Sequence, residues 1–281
     1  MPYATTPAGR LYYHHNGVPG APAAPVFVAL HGAGGQGRDW PEAWRHRADP
    51  IGFLGLSQAR FGGQPLARPF YALDLPGHGL SGGESCDHVS GYADAAIGFI
   101  EALALRRVIL IGHSMGGGVV LDVAQRRHPA LAGMVLIGTS AAMAVPDSVF
   151  DGLANAYTAT VRKLSGYCWH PSAPVFYKAK GFERMHGAGQ DTVLGDFKAS
   201  ATFDFREALG AIETPALVIA GLDDKMMPAK HAERTAVGLP NARYAGIAGA
   251  GHFPHVERPI EVGRHLEAFA RTLDPQTASA A

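Results

Sequence analysis

The chain is poor in the features that mark several functional classes. It has only two cysteines, Cys86 and Cys168, far apart and outside any C-x-x-C or Cys/His ligand spacing. Neither a disulfide framework nor a metal site is expected, and both read as ordinary thiols. An excess of one charge is also missing: 24 basic residues meet 24 acidic ones, for a formal net charge of zero. No basic face is demanded, so nucleic acid is not an expected partner. No run approaches the roughly 18 uninterrupted apolar residues of a membrane span. Met1 to Gly9 also lacks an apolar segment behind a positive start. The expectation is a cytoplasmic protein without a leader.

What is present points to a packed core. Of the 281 residues, 47% are hydrophobic and 17% charged, which suits one large α/β domain carrying an insertion. The chain is organised around Val108-Ile-Leu-Ile-Gly-His-Ser-Met-Gly-Gly-Gly118. Its aliphatic start reads as a strand buried on both faces, and a helical period from Val119 to Arg127 follows. Between them the chain must turn sharply at Ser114, with Gly112 and Gly116 at the flanking positions where a side chain would collide. This is the G-x-S-x-G nucleophile elbow in the strand-then-helix context it requires.

The rest of the chain supplies further strands. Arg10 to His15 reads as an edge strand, with His14 and His15 as surface residues. Val26 to Leu30 is a buried strand ending in His31-Gly32-Ala33-Gly34-Gly35. This glycine-rich turn lacks the G-x-G-x-x-G of a dinucleotide loop and suits an oxyanion hole, the amide of Ala33 joining that of Met115. Asp39 to Glu42 looks like a helix start with Asp39 as N-cap. Residues 46 to 69 carry no clean period and read as an irregular excursion. Phe70 to Leu73, Met134 to Ile137, Ala216 to Ala220 and Arg243 to Ile247 are further strands, with helices over Ser90 to Ala104, about Lys230 to Val237 and about Ile260 to Thr272. Strand and helix alternate, which predicts right-handed crossovers and a mainly parallel sheet. From Ser140 to Asp204 the rhythm breaks into a helical stretch rich in aromatics and methionines. It is expected to form a lid, most of its aromatics building their own small core and a minority shaping an apolar pocket. The expected domains are 1-139 with 205-281 as the core and 140-204 as the lid; the tail from Pro275 is expected to be disordered.

A serine hydroxyl needs a base, and the base needs a carboxylate to fix its tautomer. His252 follows the Arg243 to Ile247 strand, and Gly249 and Gly251 beside it are expected to leave the loop free to bend; Asp223 and Asp224 both follow the preceding strand. His255 lacks the preceding glycines, and Glu257 reads as a helix-start or ion-pair residue.

The order of these residues resembles the α/β-hydrolase superfamily. The resemblance rests on the His31-Gly32 loop, the Gly-His-Ser114-Met-Gly-Gly elbow, Asp74-Leu-Pro-Gly-His-Gly-Leu-Ser81, and Gly-His252-Phe-Pro-His-Val-Glu-Arg-Pro259. It spans 10 to 138 and 211 to 272 and leaves the lid uncovered. That family's Gly-x-x-Asp-x-x-x-Pro pattern fits Gly221, Asp224 and Pro228, which implies Asp224 over Asp223 as the third catalytic residue beside Ser114 and His252. The resemblance also implies the α/β-hydrolase fold, with helices on both faces of the sheet, and an acyl-enzyme route without cofactor or metal. The expected substrate is a carboxylic ester or lactone of a small, largely apolar molecule. His113 and Phe253 stand where the carbon-carbon bond hydrolases carry asparagine and tryptophan, which lowers that alternative. The His31 to Trp40 loop looks like that of the menaquinone-pathway lyases, and a non-hydrolytic receptor keeping the triad is a further alternative.

Overall fold

A computed structural model describes residues 2–21, 23–46 and 64–275. The excursion over 46 to 69 lies largely outside the described residues, as does the tail beyond Pro275.

Eight strands form one sheet: Tyr3–Thr6 (β1), Gly9–His15 (β2), Val26–Leu30 (β3), Phe70–Leu73 (β4), Val108–His113 (β5), Leu131–Ile137 (β6), Ala216–Gly221 (β7) and Ala242–Ile247 (β8). Their spatial order is β1-β2-β4-β3-β5-β6-β7-β8, and β3 to β8 run parallel. The parallel run arises because β5 and β7 are buried at every position, so both of their faces must be covered. One face is covered by Val89–Ala102 (α2) and Met115–Gln125 (α3), whose Tyr92, Phe99, Val119 and Val123 are buried there. The other face is covered by Pro259–Thr272 (α10), with Trp40, Trp44 and Phe70 in the same core.

Two expectations at the amino end are corrected. The Arg10 to His15 strand is not an edge, because β1 pairs antiparallel with its outer side through Tyr3↔Tyr12 and Thr6↔Gly9. Pro7 and Ala8 make the turn between them, and Gly9, at φ 103°, opens β2 directly after it. Nor is His14 a surface residue: it is 8% exposed, and burial, reinforced by Arg45, lowers its pKa to about 4. Asp39 also does not cap a helix. It closes a 3-10 turn, accepting the Gln36 amide at 2.8 Å, and the short helix Glu42–Arg45 (α1) starts after Pro41.

Chain order brings the functional loops together. From β3 the chain moves outward to β4, then returns across β3 to β5, so β3 and β5 are neighbours with Leu30 opposite Gly112. Their carboxyl ends flank a topological switch point, where the loops separate and leave a crevice. Between β6 and β7 the helices Asp147–Asn155 (α4), Tyr157–Tyr167 (α5), Val175–Gly187 (α6) and Gln190–Thr202 (α7) form an insertion. Its small core is mainly aliphatic, with Leu153, Val161, Leu164, Met185 and Val193 buried together. The helices Ala229–Gly238 (α8) and Pro254–Glu257 (α9) complete the chain. Among the described residues no helix is long and apolar enough to cross a membrane.

Candidate active site

Ser114 sits between β5 and α3 at φ 52° and ψ −120°. A non-glycine residue in the left-handed region costs on the order of 1–3 kcal/mol and persists only where its surroundings enforce it. Here the Ser114 amide donates to Ile137 O at 2.9 Å, and the Gly117 amide donates to Ser114 O at 2.8 Å. A Cβ on Gly112 would lie 2.1 Å from Gly116 O, and one on Gly116 would lie 2.6 Å from His31 O. Gly112 therefore lets the first turn of α3 fold back on β5, and Gly116 lets that turn lie against the end of β3.

The loops after β7 and β8 carry the other two residues. His252 Nδ1–H donates to Asp224 Oδ2 at 2.8 Å, and Asp224 Oδ1 accepts the amides of Met226 at 2.8 Å and Met227 at 2.9 Å. The carboxylate is thus satisfied at both oxygens while its side chain is wholly buried. With the Nδ1 proton committed to Asp224, the lone pair of the neutral ring lies on Nε2. Asp223 turns away, 3.7 Å from His170 Nε2 and with its side chain 46% exposed. Ser114 and His252 line one cavity of about 800 Å³.

Ala33 lines the same cavity. Gly32 O accepts from His31 Nδ1–H at 2.9 Å and from the Gly35 amide at 3.0 Å. Across a trans peptide the Ala33 N–H points opposite to that carbonyl. Met115 opens α3, so its amide belongs to the first turn and has no acceptor within the helix.

Several histidines around the site are structural. His31 Nε2 accepts the Leu75 amide at 3.1 Å, which fixes the neutral tautomer whose Nδ1 holds Gly32. His113 Nε2–H donates to His252 O at 2.8 Å. Burial, with His255 and His252 adding to it, holds His113 well below the usual imidazole range. His255 packs on Trp40 at 4.6 Å between ring centroids, and burial, followed by His252, lowers its pKa to about 3.

Two carboxylates go beyond the sequence reading. Glu257 accepts the Gly251 amide at 2.8 Å and the His170 amide at 2.9 Å, tying the His252 loop to the insertion. The His252 amide in turn donates to Cys168 O at 2.7 Å. A Cβ on Gly251 would meet Cys168 O at 2.7 Å, so this glycine admits the insertion's backbone rather than letting the loop bend. The second is Asp196 of α7, which is completely buried. Its Oδ2 accepts the Gly34 amide at 2.7 Å and His78 Nε2–H at 2.8 Å, and its Oδ1 accepts from the Tyr92 hydroxyl. The signal for it was available: Asp196 shares a helix face with the apolar Val193 and Ala199.

The cavity is apolar on one side and charged on another. Met143, Trp169, Phe176, Tyr177, Met185 and Phe197 line it, so more of the insertion's large side chains face the cavity than the sequence suggested. Trp169 stacks on Phe253 at 4.7 Å, next to the His252 ring. The charged wall includes Arg38, Glu42 and Arg45, together with the ion pairs Arg184–Asp39 and Lys180–Glu183. Among the described residues no group of three or more His, Cys, Asp or Glu could hold a metal ion.

Residues 26–264 match the family described as the alpha/beta hydrolase family. The chain is similar to a 2-succinyl-6-hydroxy-2,4-cyclohexadiene-1-carboxylate synthase of Salmonella heidelberg, with 28% identity over 92% of this chain and 98% of that one. It is also similar to a non-heme haloperoxidase of Rhodococcus erythropolis, 33% identical over 64% of this chain and 74% of the other. Among solved structures, a thermophilic esterase from Thermogutta terrifontis superposes with a TM-score of 0.80 at 22% identity, covering 97% of this chain and 98% of that one.

Proposed function

The chain belongs to the alpha/beta hydrolase family and is a hydrolase of that fold; from this premise we propose that it cleaves a carboxylic ester or lactone through an acyl-enzyme formed on Ser114. Ser114 Oγ attacks the carbonyl carbon while His252 Nε2 takes its proton. The Ala33 and Met115 amides hold the oxyanion of the tetrahedral intermediate. Asp224 keeps the imidazole in the tautomer that can accept this proton and stabilises the imidazolium that forms. Collapse of the intermediate breaks the bond to the alkoxide, which leaves with the proton from His252. Water, deprotonated by the same imidazole, then attacks the acyl carbon and frees the acid. Residues 140-204 act as a lid on the core formed by 1-139 and 205-281, and their apolar side chains favour a small substrate with an apolar acyl or alcohol part.

The observation that carries this reading is the buried Asp224–His252 pair, whose imidazole opens with Ser114 onto one cavity. The test is hydrolysis of short p-nitrophenyl esters. Ser114→Ala is expected to lower kcat by roughly 10⁴- to 10⁶-fold with the fold intact, and a variant keeping most of its activity would defeat the assignment. The likeness to the Salmonella synthase favours one rival, in which the same three residues act on a ring-derived substrate without taking up water. Incorporation of oxygen from labelled water into the acid product separates the two.

A further inference from the structure

The Gly32 to Gly35 loop is pinned from two directions. The Gly32–Ala33 peptide is held by the core, through His31 Nδ1–H and the Gly35 amide on Gly32 O. The next peptide, Ala33–Gly34, is held from the insertion: its N–H donates to Asp196 Oδ2 at 2.7 Å. Ala33 lies between the two, so its backbone angles are set by both. Gly34 has φ 63°, and a Cβ there would meet Met185 Cγ at 2.8 Å, so the insertion also presses directly on the loop.

A carboxylate beside a developing oxyanion would oppose it unless its charge were offset. His78 supplies the offset. Its Nε2 faces Asp196 at 2.8 Å and its Nδ1 faces Pro76 O at 2.9 Å, and only a protonated ring can donate to both acceptors. Burial works against that charge, but Asp196, by attraction and hydrogen bond, raises the His78 pKa. Both side chains are wholly buried. The pair is therefore neutral as a unit, and Asp196 can hold an amide next to the site without adding net negative charge.

We infer that Asp196 is a positioning residue for the oxyanion loop, so that the insertion completes the reactive site as well as covering it. The inference rests on the reading of Ala33 as an oxyanion donor. Asp196 touches no reacting atom. It fixes the peptide that follows the donor, and its loss lets that peptide turn away from the geometry in which Ala33 N–H meets the oxyanion.

The test compares wild type, Asp196→Ala and Asp196→Asn on p-nitrophenyl butyrate, with an alkyl trifluoromethyl ketone as the probe of tetrahedral-intermediate binding. The ketone accepts Ser114 Oγ and forms a hemiketal oxyanion that needs the same donors. Asp196→Ala is expected to lower kcat about 10- to 100-fold, less than the roughly 10²- to 10³-fold that follows deletion of a donor itself. Ketone affinity falls by the same factor and KM stays within about threefold, the pattern of an interaction made only in the transition state. Asp196→Asn keeps an oxygen that can accept the Gly34 amide and recovers most of both quantities. Should Asp196→Ala fail to fold because His78 is left as an unpaired buried cation, His78→Leu with Asp196→Leu removes both charges together and is expected to show the same joint loss. Ketone affinity unchanged, or a rise in KM with kcat intact, overturns the inference and makes Asp196 a strut. Ser114→Ala run alongside separates the two failures. If it still turns over, the nucleophile assignment falls; if it is inactive while the Asp196 variants are unimpaired, the positioning role alone falls.

Discussion

The elbow and the loops that face it are built by different parts of the molecule. Ser114 is held by the core, by the sheet and the helix that follows it: its amide bonds to β6, its carbonyl accepts from α3, and its flanking glycines lie against backbone of α3 and the end of β3. The His252 loop and the glycine loop lean on the insertion through Cys168 O, His170 N and Asp196. On the proposed reading the core alone holds the nucleophile, while the loops of the base and the oxyanion donor are also held by the insertion. The strained residue belongs to the most over-determined part of the fold, as strain requires if it is to persist.

Short of removing Ser114 itself, the largest expected effect falls on the carboxylate behind the His252 ring. Asp224→Asn should lower kcat by about 10⁴-fold because the wrong imidazole tautomer is stabilised, while Asp223→Asn should stay within about threefold; steady-state kinetics on one ester reads both. Equal losses would show that the two aspartates share the role. An intermediate effect comes from the seam. Glu257→Ala strands the Gly251 and His170 amides, each costing about 1–3 kcal/mol if left buried and unpaired. It should lower the melting temperature and reduce kcat by about 10- to 100-fold, whereas full activity would mean that the insertion does not brace the His252 loop.

The smallest effects sharpen the contrast through pH. His113 and His255 are held neutral in the core, with folded pKa values below the ordinary imidazole value of 6.5. The unfolded chain then binds more protons, so stability falls as pH drops below 6.5, toward about 3 for His255, by up to about 1.4 kcal/mol per pH unit for each ring. His78 has the opposite sign. Its folded pKa is raised, so its stabilisation is complete below 6.5 and is lost as pH rises through the folded value. Denaturant melts at several pH values should show the acid loss reduced in His255→Phe and the alkaline loss absent in the variant with both His78→Leu and Asp196→Leu. Profiles unchanged in both would remove the contrast.

The sheet was legible in the sequence because strands buried on both faces leave unbroken aliphatic runs, as in Val108 to Ile111. The elbow was legible because backbone crowding leaves glycine as the residue that fits at 112 and 116. The β1 strand is not legible in the sequence: Tyr-Ala-Thr-Thr between Pro2 and Pro7 is short, and nothing local marks it as the sheet partner of Gly9 to Tyr12. Between Asp223 and Asp224 only a family pattern discriminates in the sequence; in the fold it is Asp224 that accepts from His252 Nδ1. Asp196 and Glu257 were not read as bracing residues because their partners lie far along the chain, and acids on helices ordinarily face water. Their contacts depend on how the insertion docks, which helical periodicity does not encode.

The close approach at Gly251 has a consequence for engineering. Because no side chain fits there, the backbone path through Cys168 to His170 is as fixed as a catalytic group. An exchange of insertion between homologues for new specificity would have to preserve that path and the acid on α7. Within the helix Val175–Gly187, Met185 and Arg184 are bound by the same requirement, whereas Val175, exposed at its start, is open to change.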